Sequence, residues 1–338
     1  MQMTNRYARQ MVLPEVGADG QARIQGARVL VVGAGGLGCA VLQYLCAAGV
    51  GRLTIVDHDR VDETNLHRQP LYRMSDLGRL KTEAARDALR ALNPNVDIRI
   101  VCERLTPANA PALIAEADVV VDAADTFAVT YTLSDECTPL ARLVNAPANG
   151  HSSRPLVSAS VLGLSGYAGV FCGNAPSYRA VFPEMPAHAG SCASTGVLGT
   201  AVGVMGTIQA HLVLSVILDL SPSVAAQLIT IDFRSFRVGG FNFASAQEPA
   251  ERALRFIARD DVTPADITVD LRSIEEAVDP AFGSSLRVLP HEIERVATDA
   301  AASRRVVLCC RSGVRAWQAA TRLRTRGLTN LALIALGD

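Results

Sequence analysis

The chain has eight cysteines and no C-x-x-C pair among them. Cys39, Cys46, Cys102, Cys137, Cys172, Cys192, Cys309 and Cys310 are scattered, which indicates neither a zinc knuckle nor a paired disulfide framework. Reduced thiols and a cytoplasmic location are expected instead. Net charge is also missing: 32 Lys and Arg stand against 33 Asp and Glu, a formal −1. That removes the electrostatic case for nucleic acid or an anionic membrane surface as a partner. The opening residues, MQMTNRYARQ, lack the apolar run of a secretory leader. Internal repeats and low-complexity tracts are absent as well. The single tryptophan, Trp317, reads as core rather than as a stacking platform.

One stretch is rich in what the rest has little of. Residues 196–218 carry no charged side chain and are long enough to cross a bilayer. Thr200, Thr207, Gln209, His211 and Ser215, with glycines at 199, 203 and 206, argue instead for a buried helix at a domain or subunit interface.

A length of 338 residues accommodates two domains. Short apolar runs at Arg28–Val32, Arg52–Val56, Val96–Val101 and Asp118–Asp122 predict strands. Helical stretches at Leu37–Ala48 and Thr82–Leu92 separate them. The alternation predicts an α/β fold with a mostly parallel sheet. Further strands are expected at Leu156–Leu162, Gly169–Phe171 and Gln227–Ile231. Composition turns polar after residue 244, which places a linker at 246–262, between a first domain at 1–245 and a second at 263–338. The second is a small α/β unit, with strands Ile267–Asp270 and Arg305–Cys310 and a helix near Leu289–Ala302.

The first strand ends in Gly33-Ala-Gly-Gly-Leu-Gly38. Gly33, Gly35 and Gly38 let the chain turn tightly and bring backbone N–H groups to a phosphate at a helix N-terminus. Asp57, ending the next strand, is placed to accept from ribose hydroxyls. To this point a dehydrogenase fits equally well. Arg68 and Lys81 change the balance, because a triphosphate favours an Arg fork and a Lys point charge. Asp125 follows an apolar strand and suits Mg²⁺, and Asp59 either binds the metal or shapes the site. His67 is expected to shape the 65–69 turn. The ordered set points to ATP and a carboxylate substrate rather than to a dinucleotide.

Tyr7-Ala-Arg9-Gln10, the glycine loop, Asn65-Leu-His-Arg68-Gln69, Lys81, Asp125, Gly190-Ser-Cys192, Gly196–Gly199 and Gly203–Ala210 together resemble the MoeB/ThiF adenylyltransferases. These are bacterial relatives of ubiquitin-activating enzymes, and the likeness covers roughly residues 4–240. It implies a Rossmann-like domain that adenylates the C-terminal glycine of a ubiquitin-like sulfur carrier protein ending in Gly-Gly. It implies ATP held by Gly33, Gly35, Gly36, Gly38, Asp57, Asp59, Thr64, Asn65, Leu66, His67, Arg68, Gln69, Lys81 and Thr126, with Mg²⁺ on Asp125. A homodimer follows, in which Arg9 reaches the partner's site. The nucleophile, a C-terminal carboxylate with a pKa of ~3.5, is already ionised, so no general base is needed. Alignment and the cations Arg9, Arg68, Lys81 and Mg²⁺ suffice for attack on the α-phosphorus.

Cys310-Arg-Ser-Gly-Val-Arg315 lies between an apolar strand and a helix, Ala316–Thr325. Loop amides, the helix N-terminus, Arg311 and Arg315 are expected to lower the thiol pKa and stabilise a persulfide. With Asp270-Leu-Arg272 this segment resembles a rhodanese-like domain over about 265–335. The resemblance implies sulfane sulfur carried on Cys310, taken from thiosulfate or a cysteine desulfurase persulfide. Delivery to the acyl-adenylate gives a thiocarboxylate, as in MoeZ-type fusions. Cys192, in a run of small residues, is implied to bond covalently to the carrier. Cys39, Cys46, Cys102, Cys137 and Cys309 read as small buried hydrophobes.

Two departures stand out from the family pattern. Its members often hold zinc on two C-x-x-C pairs, but here Ser177 and Ala180 occupy the first pair and Gly239–Phe243 lacks the second. No zinc site is expected, because the thiolate ligands are missing. The family's Asp-Asn and later Thr-Arg are replaced by Asp125-Thr126 and Thr130-Tyr131. Those changes motivate an alternative, a non-catalytic docking module for a ubiquitin-like partner. Another alternative keeps adenylation of a peptide or protein carboxylate but captures the acyl group with an amine.

Overall fold

The computed structural model describes residues 6–138, 153–186, 195–249, 254–296 and 303–337. Two helices, α1 (Ala8–Met11) and α2 (Gly17–Gly26), precede the first sheet. Valine-rich runs then form β1 (Arg28–Val32), β2 (Arg52–Val56), β3 (Asp97–Val101) and β4 (Val119–Asp122). They pair in parallel in the order β3-β2-β1-β4. β1 and β4 are buried almost throughout, which is why they read as continuous apolar runs rather than alternating ones. β5 (Pro155–Leu162) adds in parallel beside β4. β6 (Ser165–Cys172), β7 (Gln227–Asp232) and β8 (Arg237–Asn242) continue the sheet antiparallel, to eight strands. The strand expected at 169–171 is thus the end of a longer one.

Helices α3 (Gly36–Ala48), α4 (Lys81–Leu92), α5 (Ala110–Ala115) and α6 (Phe127–Cys137) follow β1, β2, β3 and β4 in turn. A short α7 (Tyr178–Val181) follows β6. The uncharged stretch forms α8 (Gly199–Leu218), the one helix among the described residues long and apolar enough to cross a membrane. It packs on α3, β5 and β6. Gly206 permits this: a Cβ there would lie 2.7 Å from the Leu37 carbonyl oxygen. Gln209 is fully buried and donates to the carbonyls of Asp122 (2.7 Å) and Val157 (3.0 Å). The polar residues of this helix include anchors to the sheet.

The second sheet is all parallel, in the order β11-β10-β12-β13-β9. Its strands are β9 (Arg255–Phe256), β10 (Ile267–Asp270), β11 (Leu286–Arg287), β12 (Val306–Cys310) and β13 (Leu331–Ala335). β9 lies inside the stretch read as a linker. Leu254, Phe256 and Ala258 alternate there and are buried, a period-two signal hidden by the charged neighbours. Of the helix expected near 289–302, Pro290–Val296 form a 3₁₀ helix and residues 297–302 lie outside the described residues. α9 (Val314–Thr325) completes this second lobe.

The two lobes share one apolar cluster, which runs from Leu30 and Val120 through Tyr131 to Leu308 and Trp317. Where the family pattern places zinc cysteines, polar and aromatic contacts stand instead. Ser177 caps α7 and donates to Glu248 (2.5 Å), whose other oxygen takes the Ser177 amide (2.8 Å). Phe243 stacks on Phe171 with ring centroids 5.0 Å apart. Between Ser177 and Ala180, Arg179 is buried and forks onto Asp135 (2.5 and 2.9 Å). Its guanidinium lies 4.6 Å from the Tyr131 ring and 5.3 Å from Trp317. Asp135→Asn should lower stability by about 3 kcal/mol in chemical denaturation, because it strands a buried guanidinium. A loss under ~1 kcal/mol would mean that water or Leu254 O takes over the charge.

Candidate nucleotide site

Chain order in the first sheet reverses at β1, which has β2 on one side and β4 on the other. Open α/β sheets gather ligands at the carboxyl ends of such strands. A cleft of about 350 Å³ lies there. Gly33 holds φ at 98°, and a Cβ on it would lie 2.5 Å from the Ala123 carbonyl oxygen. Only glycine lets the exits of β1 and β4 meet this closely. A Cβ on Gly36 would meet Val202 of α8 at 2.6 Å. Gly33, Gly35 and Gly36 line the cleft at the start of α3, whose first amides have no partner within the helix. Gly38 sits behind, packing α3 onto the Gly33 carbonyl.

Asp57 ends β2 and ties the loop down. Its Oδ2 accepts from the Ala34 amide (2.7 Å) and its Oδ1 from the Asp59 amide (2.8 Å). Each oxygen keeps a lone pair for a ribose hydroxyl. The 64–69 turn is capped by Asp62, which accepts from the Thr64 amide at 2.8 Å. Asn65, Arg68 and Gln69 line the cleft, whereas Thr64, Leu66 and His67 do not. Leu66 packs into the core, and His67 Nε2 lies 2.8 Å from Arg68 Nη1. Gln69 donates to Asn65 Oδ1 (2.9 Å), and its own Oε1 is buried with no partner among the described residues.

Lys81 opens α4 with its side chain only 6% exposed and donates to Asp59 Oδ2 at 2.9 Å. Burial pushes the Asp59 carboxyl up, but Lys81, His58 and Arg104 outweigh it and hold it below the usual range. Asp57, His58 and Asp59 bring ligand atoms within 4.8 Å of one another, yet the Lys81 contact favours a shaping role for Asp59. Asp125, exposed, and Thr126 line the cleft where β4 runs into α6.

Other expected residues fall elsewhere. Arg9 is exposed on α1, outside this chain's own cleft. Cys192 lies outside the described residues. Cys310 is fully buried, and its Sγ accepts from the amides of Gly313 (3.2 Å) and Ala316 (3.4 Å). The expected lowering of its pKa is corrected: burial raises the thiol above its ordinary value and outweighs the amides and Arg315. Arg315 spends its charge on Glu276, with both contacts at 2.6 Å. Cys102 is exposed rather than buried, since it follows edge strand β3. Tyr131, one of the departures, is buried, donates to the Phe182 carbonyl (2.8 Å) and packs on Trp317. Packing accounts for it without a docking role.

Several cleft residues carried no motif. His58 and Arg104 meet at 2.8 Å, and both line the cleft. Their positions after β2 and β3 were the available signal. Asp122, fully buried behind the cleft wall, accepts from Ser158 Oγ (2.8 Å) and the Ala124 amide (3.3 Å). Burial pushes its carboxyl up to about 6.

Loop amides, a sequestered lysine and an exposed acid make this a nucleotide-binding α/β protein built for a highly charged phosphate chain. The profile of the ThiF family matches residues 7–253, and the chain belongs to that family. It is 45% identical over 230 residues to the adenylyltransferase and sulfurtransferase MOCS3 of Bos taurus, covering 67% of this chain and 48% of that one. It is 41% identical over 236 residues to the sulfur carrier protein adenylyltransferase of Thermus thermophilus, covering 68% and 83%. The chain spans about half the length of the MOCS3 relatives it matches. Escherichia coli MccB, crystallised with MccA-N7isoASN, shares the fold, with a TM-score of 0.61, 21% identity and 73% of each chain covered.

Asp122 gives the site a pH signature. Below its ordinary carboxylate pKa of 3.8 it is protonated in both folded and unfolded chains. Between there and about 6 the unfolded chain gives up its proton and the folded chain keeps it, so stability falls as pH rises. Asp122→Asn should therefore gain on the parent chain by roughly 3 kcal/mol between pH 4 and pH 8 in denaturant titrations. A difference that stays flat with pH would rule out the raised carboxyl.

Proposed function

We propose that the protein is an ATP-dependent adenylyltransferase for the C-terminal carboxylate of a ubiquitin-like sulfur carrier protein, and that its second lobe supplies sulfur through Cys310. The observation that carries this is the convergence of Asp57, Asn65, Arg68, Lys81 and Asp125 on one cleft beside the glycine loop. The names of the relatives above support it. So does the fit of the cleft to ATP: amides at a helix start, a nearly buried lysine and an orphan Gln69 acceptor that suits a hydroxyl or amino donor.

In this reading the glycine loop, Asp57, Asn65, Arg68 and Lys81 hold ATP, and Asp125 holds Mg²⁺. Bound there, Mg²⁺ supplies charge neutralisation to the phosphates. The carrier carboxylate, ionised at neutral pH, attacks the α-phosphorus in line, and the bond to the β-phosphate oxygen breaks. Lys81 and Arg68 stabilise the departing pyrophosphate. Lys81 is already positioned by Asp59, so little reorganisation is needed. The terminal sulfur of a Cys310 persulfide then attacks the acyl carbon and AMP leaves. A second thiol, for which Cys192 is the candidate, attacks the Cys310 sulfur of the resulting acyl disulfide and expels the thiocarboxylate. This leaves a Cys192–Cys310 disulfide that an external dithiol reduces, itself becoming a disulfide. Arg9 completes the site of a partner subunit in a cytoplasmic homodimer, and thiosulfate or a desulfurase persulfide loads Cys310. No zinc is required.

ATP–pyrophosphate exchange with Gly-Gly carriers from the source genome tests the reading. One carrier should support exchange, and Lys81→Ala or Asp125→Ala should lower it at least ~100-fold. Cys310→Ala should keep exchange and lose the thiocarboxylate, read by mass spectrometry. Exchange with no carrier would sink adenylation. An amide product indifferent to Cys310→Ala would replace sulfur transfer with amine capture.

A further inference from the structure

Cys310 has no exposed surface, although Arg311 and Ser312 beside it are exposed. The first lobe packs on the loop that holds it. A Cβ built on Gly313 would lie 3.3 Å from the Ala128 Cβ of α6 and 2.6 Å from the Phe256 ring. The same face of the second lobe rests on the nucleotide cleft. A Cβ on Gly337 would lie 2.6 Å from the guanidinium carbon of Arg104, which lines that cleft. A thiol that receives sulfur from one molecule and passes it to another must be reached by both, and in this arrangement neither has access.

The contact between the lobes is arranged so that it separates without stranding a charge. Arg179 and Asp135 both belong to the first lobe, as do Tyr131 and its acceptor Phe182 O. Lifting the second lobe leaves these pairs whole. Polar links do cross among the described residues. Arg179 donates to Leu254 O at 2.9 Å, Arg255 lies 3.9 Å from Asp135, which keeps Arg179 as its partner, Trp317 Nε1 donates to Glu184 at 3.2 Å, and Arg324 meets Glu184 at 3.3 Å. The Glu184 side chain is 58% exposed, so water replaces its partners readily. What opposes opening is chiefly apolar, the Tyr131–Trp317 ring contact at 5.0 Å and the loop against Ala128.

We propose that this arrangement is a closed state, in which the second lobe shuts Cys310 against α6 and must lift off the Trp317–Glu184 contact before Cys310 takes up sulfur. The need for access rests on the sulfur-transfer reading above. The closure itself rests on geometry alone. Opening and closing of packed lobes about a shared interface is a known form of two-state motion.

Timed alkylation of the full chain with iodoacetamide, read by peptide mass spectrometry, compares Cys310 with Cys102, which is exposed in the same molecule. Cys310 should react at least ~10-fold more slowly. Glu184→Arg removes the Trp317 acceptor, faces Arg324 with a like charge and should speed Cys310 labelling about threefold or more. Adding Arg324→Glu restores an ion pair with the opposite polarity and should slow it again. Carrier-dependent pyrophosphate exchange should persist in both variants, which shows that the first lobe is folded. Native Cys310 labelled as fast as Cys102, or protection unchanged by Glu184→Arg, overturns the proposal. Protection without any pyrophosphate exchange would sink the adenylation reading and leave the closure standing.

Discussion

The guanidinium of Arg179 is the point on which the two lobes turn. It is held by Asp135 of α6, flanked by Tyr131 and Trp317, and bonded to the carbonyl of Leu254 at the entry to β9. A bare charge in that place would be costly, so the carboxylate and the ring faces are what make burial possible. α6 carries the cleft-lining residues Thr126, Phe127, Val129 and Thr130 at its other end. The pair therefore fixes a wall of the nucleotide site from the side away from the nucleotide. Ser177 bonds to Glu248 and Arg179 to Asp135 in the region where the family pattern places metal thiolates.

The first sheet and its cleft were largely legible in the sequence. Continuous runs such as Arg28–Val32 have one reading when glycines follow and a helix comes next. The cleft followed because phosphate sites need backbone amides at a fixed place, and Gly33 and Gly36 mark it. Lys81 and Asp125 were found through spacing, and both line the cleft. Arg104 and His58 were not, since each is an ordinary polar residue until the strand order brings β2 and β3 side by side.

The misreadings have a common cause. β9 was hidden because it pairs over only two residues and its short alternation sits among charged neighbours. The Cys310 loop has every local feature of an acidic thiol, yet α6 and Phe256, far away in sequence, pack on it at Gly313 and the thiol is buried. Burial there outweighs the amides. Tyr131 read as a defect at a substrate site because its partner, Trp317, lies 186 positions further on. In each case a distant contact decided the property, and neighbouring residues carried no record of it.

The strand order of the second sheet has a consequence for synthesis. β13 lies between β12 and β9, so the sheet stays in two pieces until residues 331–335 have emerged from the ribosome. Its partners must wait in an unpaired state, with parallel edges exposed. Through that interval the part of α6 that Trp317 and Gly313 cover is also without its lid, although the first lobe has all of its strands. The nascent chain thus passes through a stage in which its nucleotide-binding half has all of its strands and the surface that the second lobe covers is bare. A chaperone acting on this protein would have most to do at that stage.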